Sequence, residues 1–180
     1  MINRELYMEQ ITPFIDKPFV KVITGIRRCG KSVVLRLIRE ELLRRGVSED
    51  YIIYMNFESF EWIDMKEAKA LYAHIREATK ASGKYYILLD EIQEVTDWEK
   101  AVNAFLVDLD VDIYVTGSNS RLLSSEFSTY LAGRYVAFHI MTLSFREYLL
   151  FHDLPLTISV SDRKTEFLKY LRMGGFPAIH

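Results

Sequence analysis

Residues 25–32 read Gly25-Ile26-Arg27-Arg28-Cys29-Gly30-Lys31-Ser32, with Val33 carrying on into a helical run. Every fixed position of the phosphate-binding pattern G-x-x-x-x-G-K-[ST] is met. Two glycines let the backbone curl until its N–H groups point at phosphate oxygens. Lys31 supplies a charge for the β- and γ-phosphates, and Ser32 a hydroxyl for Mg²⁺. With Gly near 7% of ordinary usage, four fixed positions coincide by accident in about one chain of this length per hundred. The flanks lower those odds further. Phe19 to Thr24 is a short β-rich run, and Lys31 to Arg45 is a helical one. Val34, Ile38 and Leu42 recur there every fourth residue, and Gly46 stands where a C-terminal cap belongs. Strand, glycine-rich turn, helix is the context the pattern requires. The helix N-terminus then adds its positive end to the same anion site.

The chain outward from this loop is one ordinary domain. It has 180 residues, 49% of them hydrophobic, and a formal charge of −2, which gives no electrostatic footprint for nucleic acid. One cysteine, Cys29, excludes an intrachain disulfide and fits a reducing, cytoplasmic setting. Inside the loop, backbone N–H groups could lower its pKa, or it simply fills a variable position. No apolar run approaches a membrane span, and the N-terminus lacks a signal-peptide core. His74, His139, His152 and His180 show no metal-ligand spacing.

Strand-like and helix-like runs alternate throughout. Tyr51 to Phe57 reads as a strand. Asp64 with Glu67 resembles a capping box opening a helix to about Ala81. Tyr85 to Leu89 is an unbroken apolar run, as in strands buried on both faces. Thr96 with Glu99 resembles a second capping box, and its helix aligns Trp98, Val102, Phe105, Leu106 and Leu109 on one stripe. Val111 to Thr116 and Tyr135 to Leu143 are further strands. Ser120 to Leu131 reads as a helix, and Ser144 with Glu147 caps another through Phe151. The alternation predicts an α/β fold with a mainly parallel five-stranded sheet and helices on both faces. Residues 1–155 are expected to form the core. Residues 156–180 are expected to begin a helical lid or connector, leading to a domain outside this chain.

A hydrolytic site also needs an acid for Mg²⁺ and a group that orients water. Asp90 and Glu91 follow the run of Tyr85 to Leu89 directly, so both emerge at the sheet edge that bears the phosphate loop. Successive strand residues point to opposite sides, so the two acids divide the work: Asp90 to the metal shell, Glu91 to water. Thr116, Ser118 and Asn119 end the next strand on the same edge, and Asn119 or Ser118 is the candidate phosphate sensor. Arg134 is a candidate cation for the γ-phosphate, in its own site or a neighbouring subunit's. Arg27 and Arg28 are phosphate contacts or solvent-facing fillers. No Asn-Lys-x-Asp segment occurs, which disfavours guanine, and nothing advertises a kinase acceptor pocket.

Thr24 to Ser32 resembles the T-G-x-R-R-x-G-K-[ST] loop of a prokaryotic family of AAA-type P-loop ATPases. Leu89-Asp90-Glu91-Ile92-Gln93, followed by Asp97-Trp98, resembles that family's Walker B segment. Thr116 to Ser120, Leu131 to Arg134, Leu143 to Glu147 and Gly174-Gly175-Phe176-Pro177 match further segments. The resemblance implies a three-layer P-loop fold with sheet order 5-1-4-3-2. It also implies ATP and Mg²⁺ as ligands, and hydrolysis that drives or switches a C-terminal effector region; the alternative is a nucleotide-dependent binding switch with little turnover. A homo-oligomer is compatible with it, and nucleic acid would enter only through that further region.

Overall fold

The computed structural model describes residues 4–118, 122 and 130–179. Its sheet contains β1 (Val20–Gly25), β2 (Ile52–Asn56), β3 (Tyr85–Asp90), β4 (Val111–Gly117) and β5 (Tyr135–Ile140). They lie in the order β2-β3-β4-β1-β5, and all pairings are parallel. This is the expected 5-1-4-3-2 order. Strands β1 and β3 are buried along their whole length, which is why they read as apolar runs without alternation.

Helices cover both faces. On one, α1 (Glu5–Ile11) and α2 (Lys31–Arg44) bring Tyr7, Ile11, Val34, Leu35, Ile38 and Leu42 against Ile23, Leu88 and Tyr114. On the other, α3 (Ala68–Ala78) and α4 (Trp98–Asp108) bring Leu71, Ile75, Trp98, Val102 and Phe105 against Val22, Ile87 and Leu89. Leu106 and Leu109 pack on the same cluster, as their spacing requires. Helix α2 ends as expected: Gly46 adopts φ 90°, and the N–H groups of Gly46 and Val47 cap the carbonyls of Leu43 and Leu42. Helix α1 lies in a stretch whose sequence carried no strong period.

Two of the three expected capping boxes do not form. Helix α3 starts at Ala68 after an extended Glu67 that makes no side-chain cap, and Asp64 sits in a preceding 3₁₀ turn. Helix α4 starts at Trp98 behind Asp97, which is left-handed and likewise makes no cap. The cause is tertiary. Glu67 and Thr96 face each other in a parallel bridge, with Ala68 N–H donating to the Thr96 carbonyl and Thr96 N–H to that of Lys66. That bridge holds Glu67 extended, so it cannot serve as the third helical residue behind Asp64, and it takes the Thr96 N–H that Glu99 would have accepted. The third box does form, on α5 (Phe145–Phe151), where Ser144 and Glu147 bond reciprocally.

Helix α6 (Val160–Met173) follows and buries no residue fully. It leans on α5 through rings, Phe145 with Phe167 at 5.1 Å and Tyr148 with Tyr170 at 5.4 Å between centroids. Beyond it the Gly175 carbonyl accepts from Leu143 N–H at 2.6 Å. This returns the chain to the sheet edge where β1 and β3 end. Most of the helix expected over Ser120 to Leu131, and Asn119 with it, falls outside the described residues.

Candidate functional site

The loop after β1 is shaped by a close approach. A Cβ on Gly25 would lie 2.4 Å from the Ile140 carbonyl oxygen and 2.7 Å from Cys29 Sγ, so only glycine fits. Arg28 and Gly30 both take positive φ, 66° and 104°, which turns the backbone around the loop. Lys31 then opens α2. Its side chain is 3% exposed, and Nζ reaches back to the carbonyls of Gly25 and Ile26 at 3.4 Å each. A cavity of about 470 Å³ lies over the loop, lined by Arg28, Lys31, Ser32, Val33, Glu91 and Pro177 among others. Beside it, about 290 Å³ opens between Lys31, Glu91, Gln93 and Ser118.

Not every loop residue faces this space equally. Ile26 is exposed and lines neither cavity, whereas Arg27 pairs with Glu58 at 3.2 Å at the rim of both; a pair this exposed contributes little to stability. Cys29 is fully buried, and that burial pushes its thiol pKa up rather than down. The oxidisable-thiol reading is therefore withdrawn, and Cys29 serves as packing against Gly25.

The two acids at the end of β3 diverge, as alternation predicts. Asp90 is fully buried on the α2 side of the sheet and accepts from the Thr116 hydroxyl and from Tyr54 Oη, the latter at 3.1 Å. Burial, reinforced by the Asp90 charge, pushes the Tyr54 phenol up to about 12. Glu91 takes the left-handed conformation (φ 54°, ψ 48°), which costs a non-glycine residue about 1–2 kcal/mol. The turn aims its carboxylate at the loop, where Oε1 meets Lys31 Nζ at 3.2 Å and Oε2 accepts from Gln93 Nε2 at 2.5 Å. The Gln93 Oε1 is buried with no partner among the described residues. It packs over Gly117, where a Cβ would fall 2.1 Å away.

Thr116 binds this arrangement together. Its hydroxyl donates to Asp90 and accepts the Glu91 N–H at 2.9 Å. A fully buried hydroxyl used in both directions is not free to read a phosphate. Ser118 instead lines the cavity with Lys31 and Glu91. Thr116→Val is expected to cost about 1–3 kcal/mol, because the Glu91 N–H loses its acceptor and Asp90 a donor in a buried setting. Urea denaturation checks this; a loss below about 0.5 kcal/mol, ordinary for surface changes, contradicts it.

Arg134 does not join the site of its own subunit. It precedes β5, its carbonyl accepts from Val20 N–H at 2.8 Å, and its guanidinium donates to half-buried Asn103 at 3.1 Å. Val20 begins β1 and Gly25 ends it, so the two lie on opposite edges of the sheet, about 17 Å apart at 3.3 Å per residue. The own-site role is corrected on that ground. Residues that sequence reasoning missed line or support the cavity, among them Tyr54, Glu58, Gln93 and Pro177. Tyr54 stood unremarked in a strand, and Gln93 within the Asp-Glu-Ile-Gln segment. The Gly-Gly-Phe-Pro match gave no hint that Pro177 returns to the loop. Among the described residues, no group of three or more His, Cys, Asp or Glu could hold a metal ion.

A family model described as an AAA domain matches residues 17–149. The chain belongs to this AAA domain family. An uncharacterized protein of Haemophilus influenzae is 43% identical over 180 residues, covering 99% of this chain and 44% of the relative. An uncharacterized protein of Methanocaldococcus jannaschii is 35% identical over 184 residues, covering 99% of this chain and 39% of the relative. The AAA domain described here thus spans less than half the length of these curated relatives. Among solved structures it is similar to a point variant of RuvB from Thermotoga maritima, with TM-score 0.61 and 13% identity, covering 99% of this chain and 59% of that one. It is also similar to AMPPCP-bound DnaA of Aquifex aeolicus, with TM-score 0.55 and 17% identity, covering 98% and 63%. A third likeness is to the Aeropyrum pernix Orc1 protein in complex with DNA, with TM-score 0.53 and 17% identity, covering 92% and 50%. At these identities the likeness concerns the fold. No described helix is long and apolar enough to cross a membrane.

Proposed function

We propose that this AAA domain binds ATP with Mg²⁺ in the loop of residues 25–33 and hydrolyses it. The observation that carries the reading is the meeting of Lys31 and Glu91 at 3.2 Å, at the mouth of the cavity over that loop. A buried ammonium on a backbone-lined cradle suits a phosphate, and a carboxylate beside it suits water activation. The phosphates compete with Glu91 for Lys31. As they take the ammonium, Glu91 becomes free to accept a proton from water, held at its Oε2 side by Gln93. Ser118 lies where it can contact the terminal phosphate.

Ser32 and Asp90 are the residues that would hold Mg²⁺. Ser32 is the second residue of α2, and Asp90 lies buried on the α2 side of the sheet, each carboxylate oxygen retaining capacity beyond its one hydroxyl donor. A site completed by substrate phosphates needs no cluster of protein acids, which is how Mg²⁺ is usually bound. When bound, the ion would neutralise charge on the phosphates.

The position of Arg134 supports a second feature. The transferring phosphoryl gains much from a cation, and Arg134 is too far from Lys31 of its own chain to serve. It is available to a neighbouring copy, so an isolated subunit works slowly, as a nucleotide-dependent switch would. In both forms the nucleotide state would act on the region that follows in the longer relatives.

Phosphate release with Mg-ATP, measured against protein concentration, tests this. Lys31→Ala is expected to abolish ATP binding within the detectable range. Specific activity that rises with concentration in wild type and not in Arg134→Ala supports completion by a neighbour. Unchanged ATP binding in Lys31→Ala contradicts the whole reading.

A further inference from the structure

The first helix places one side chain against the phosphate loop from outside the cavity. Arg4 stands at the N-terminal end of α1 and is 2% exposed. Its guanidinium is divided among three acceptors. Nη1 donates to the Cys29 carbonyl at 2.9 Å, Nη2 to the Met141 carbonyl at 2.9 Å, and Nε to Glu147 Oε1 at 2.6 Å. The Tyr7 ring lies 4.7 Å from the guanidinium carbon, and its hydroxyl accepts from Met141 N–H at 3.0 Å. Glu147 is held in turn, since its Oε2 accepts from both the N–H and the hydroxyl of Ser144 at 2.8 Å. The phosphate loop, the exit of β5 and the start of α5 therefore meet on one buried side chain.

Burying a guanidinium costs several kcal/mol unless its charge and its donors are matched. Met141 and Glu147 already anchor α1, so the third bond has a separate consequence. A peptide unit is planar and trans, so fixing the Cys29 carbonyl fixes the Gly30 N–H in the opposite direction. Gly30 lines the cavity over the loop, and a Cβ on it would sit 3.1 Å from Arg4 Nη1. A cationic donor on the carbonyl also polarises the amide and strengthens its N–H as a donor.

We propose that Arg4 is a positioning residue for phosphate binding, orienting and polarising the Cys29–Gly30 peptide from behind the loop. This rests on reading the loop as a nucleotide phosphate site. It makes phosphate affinity depend on α1 and on the junction of β5 with α5, neither of which lines the cavity over the loop.

Titration calorimetry with Mg-ADP and with inorganic pyrophosphate tests it, on wild type, Arg4→Met and Arg4→Lys, each held below its own unfolding transition. Arg4→Met is expected to weaken ADP binding about tenfold or more, as loss of a charge-assisted bond would. Arg4→Lys keeps the charge without the fork and is expected to weaken it about threefold or more. Pyrophosphate should lose the same factor as ADP, because the effect acts on phosphate alone. A lowered Tm with unchanged affinity for both probes would mean a purely structural role and overturns the proposal while leaving the nucleotide reading intact. Wild-type protein that binds neither probe overturns both. Should Arg4→Met not fold, Arg4→Lys alone decides.

Discussion

In Glu91→Gln, ATP turnover is expected to fall about 10²- to 10⁴-fold, the usual worth of a positioned general base, while ATP affinity holds or rises. The second half of this expectation comes from the ion pair with Lys31. On the proposed reading, phosphate in the wild type must displace a carboxylate from a nearly buried ammonium. Glutamine has the same shape and can still take the hydrogen bond, but it gives up the charge that competes. The amide also keeps the left-handed turn at position 91 and its N–H bond to Thr116, so the variant should fold. Single-turnover phosphate release, with a parallel nucleotide titration, separates the two effects. Equal turnover in variant and wild type removes Glu91 from the chemistry. Weaker ATP binding in the variant would mean that the Lys31–Glu91 pair assists binding rather than opposing it.

Asp112→Ala is expected to destabilise the domain by about 3–5 kcal/mol, the cost of leaving a buried charge without its partner. Lys21 lies within β1, completely buried, and its ammonium pairs with Asp112 and donates to the Lys17 carbonyl at 2.9 Å. Burial holds its pKa below the usual lysine range, against the opposing pull of Asp112. The other Asp112 oxygen accepts from the Tyr114 hydroxyl at 2.8 Å and the Asp16 N–H at 2.9 Å. One carboxylate thus pins the segment entering β1 to the middle of the sheet. For a domain of this size the loss corresponds to a fall in Tm of about 6–20 °C. Lys21→Met with Asp112→Ala should recover part of it, and never all, since Tyr114 and Asp16 still lose their acceptor. A single variant that melts within about 2 °C of wild type contradicts this account.

The sheet was readable from the chain because its signals are long and redundant. Apolar runs such as Tyr85 to Leu89, the loop pattern and the four-residue spacing in α2 all agree. The strand order was not: periodicity says which residues form strands, not which strands are neighbours, and the order came from resemblance alone. Local signals failed where a distant contact competed, as at Asp64–Glu67 and Thr96–Glu99. A cap depends on one or two hydrogen bonds, and the bridge between Glu67 and Thr96 outweighs it. The same limit applies at the site. Asp90, Glu91 and Lys31 could be assigned because a strand end and a loop pattern locate them. Arg4 and Pro177 lie near the two ends of the chain, and only tertiary structure brings them to the loop. The side chain of Arg134 has ordinary chemistry, but its strand begins on the opposite edge, a fact of topology that its neighbours in sequence cannot express.

That topology also limits how copies of the domain can combine. In a two-fold pair residue i of one copy meets residue j of the other and j meets i, so Arg134 reaches a partner's Lys31 only if one self-complementary patch spans both edges of the sheet. A contact that joins the Arg134 edge of one copy to the Lys31 edge of the next, with no return contact, is heterologous instead. Such a contact is directional: each subunit gives at one side and receives at the other. It closes as a ring or continues as a helix, according to the rotation at the joint. In an unclosed row, one terminal subunit would always hold a loop that no neighbour's arginine reaches.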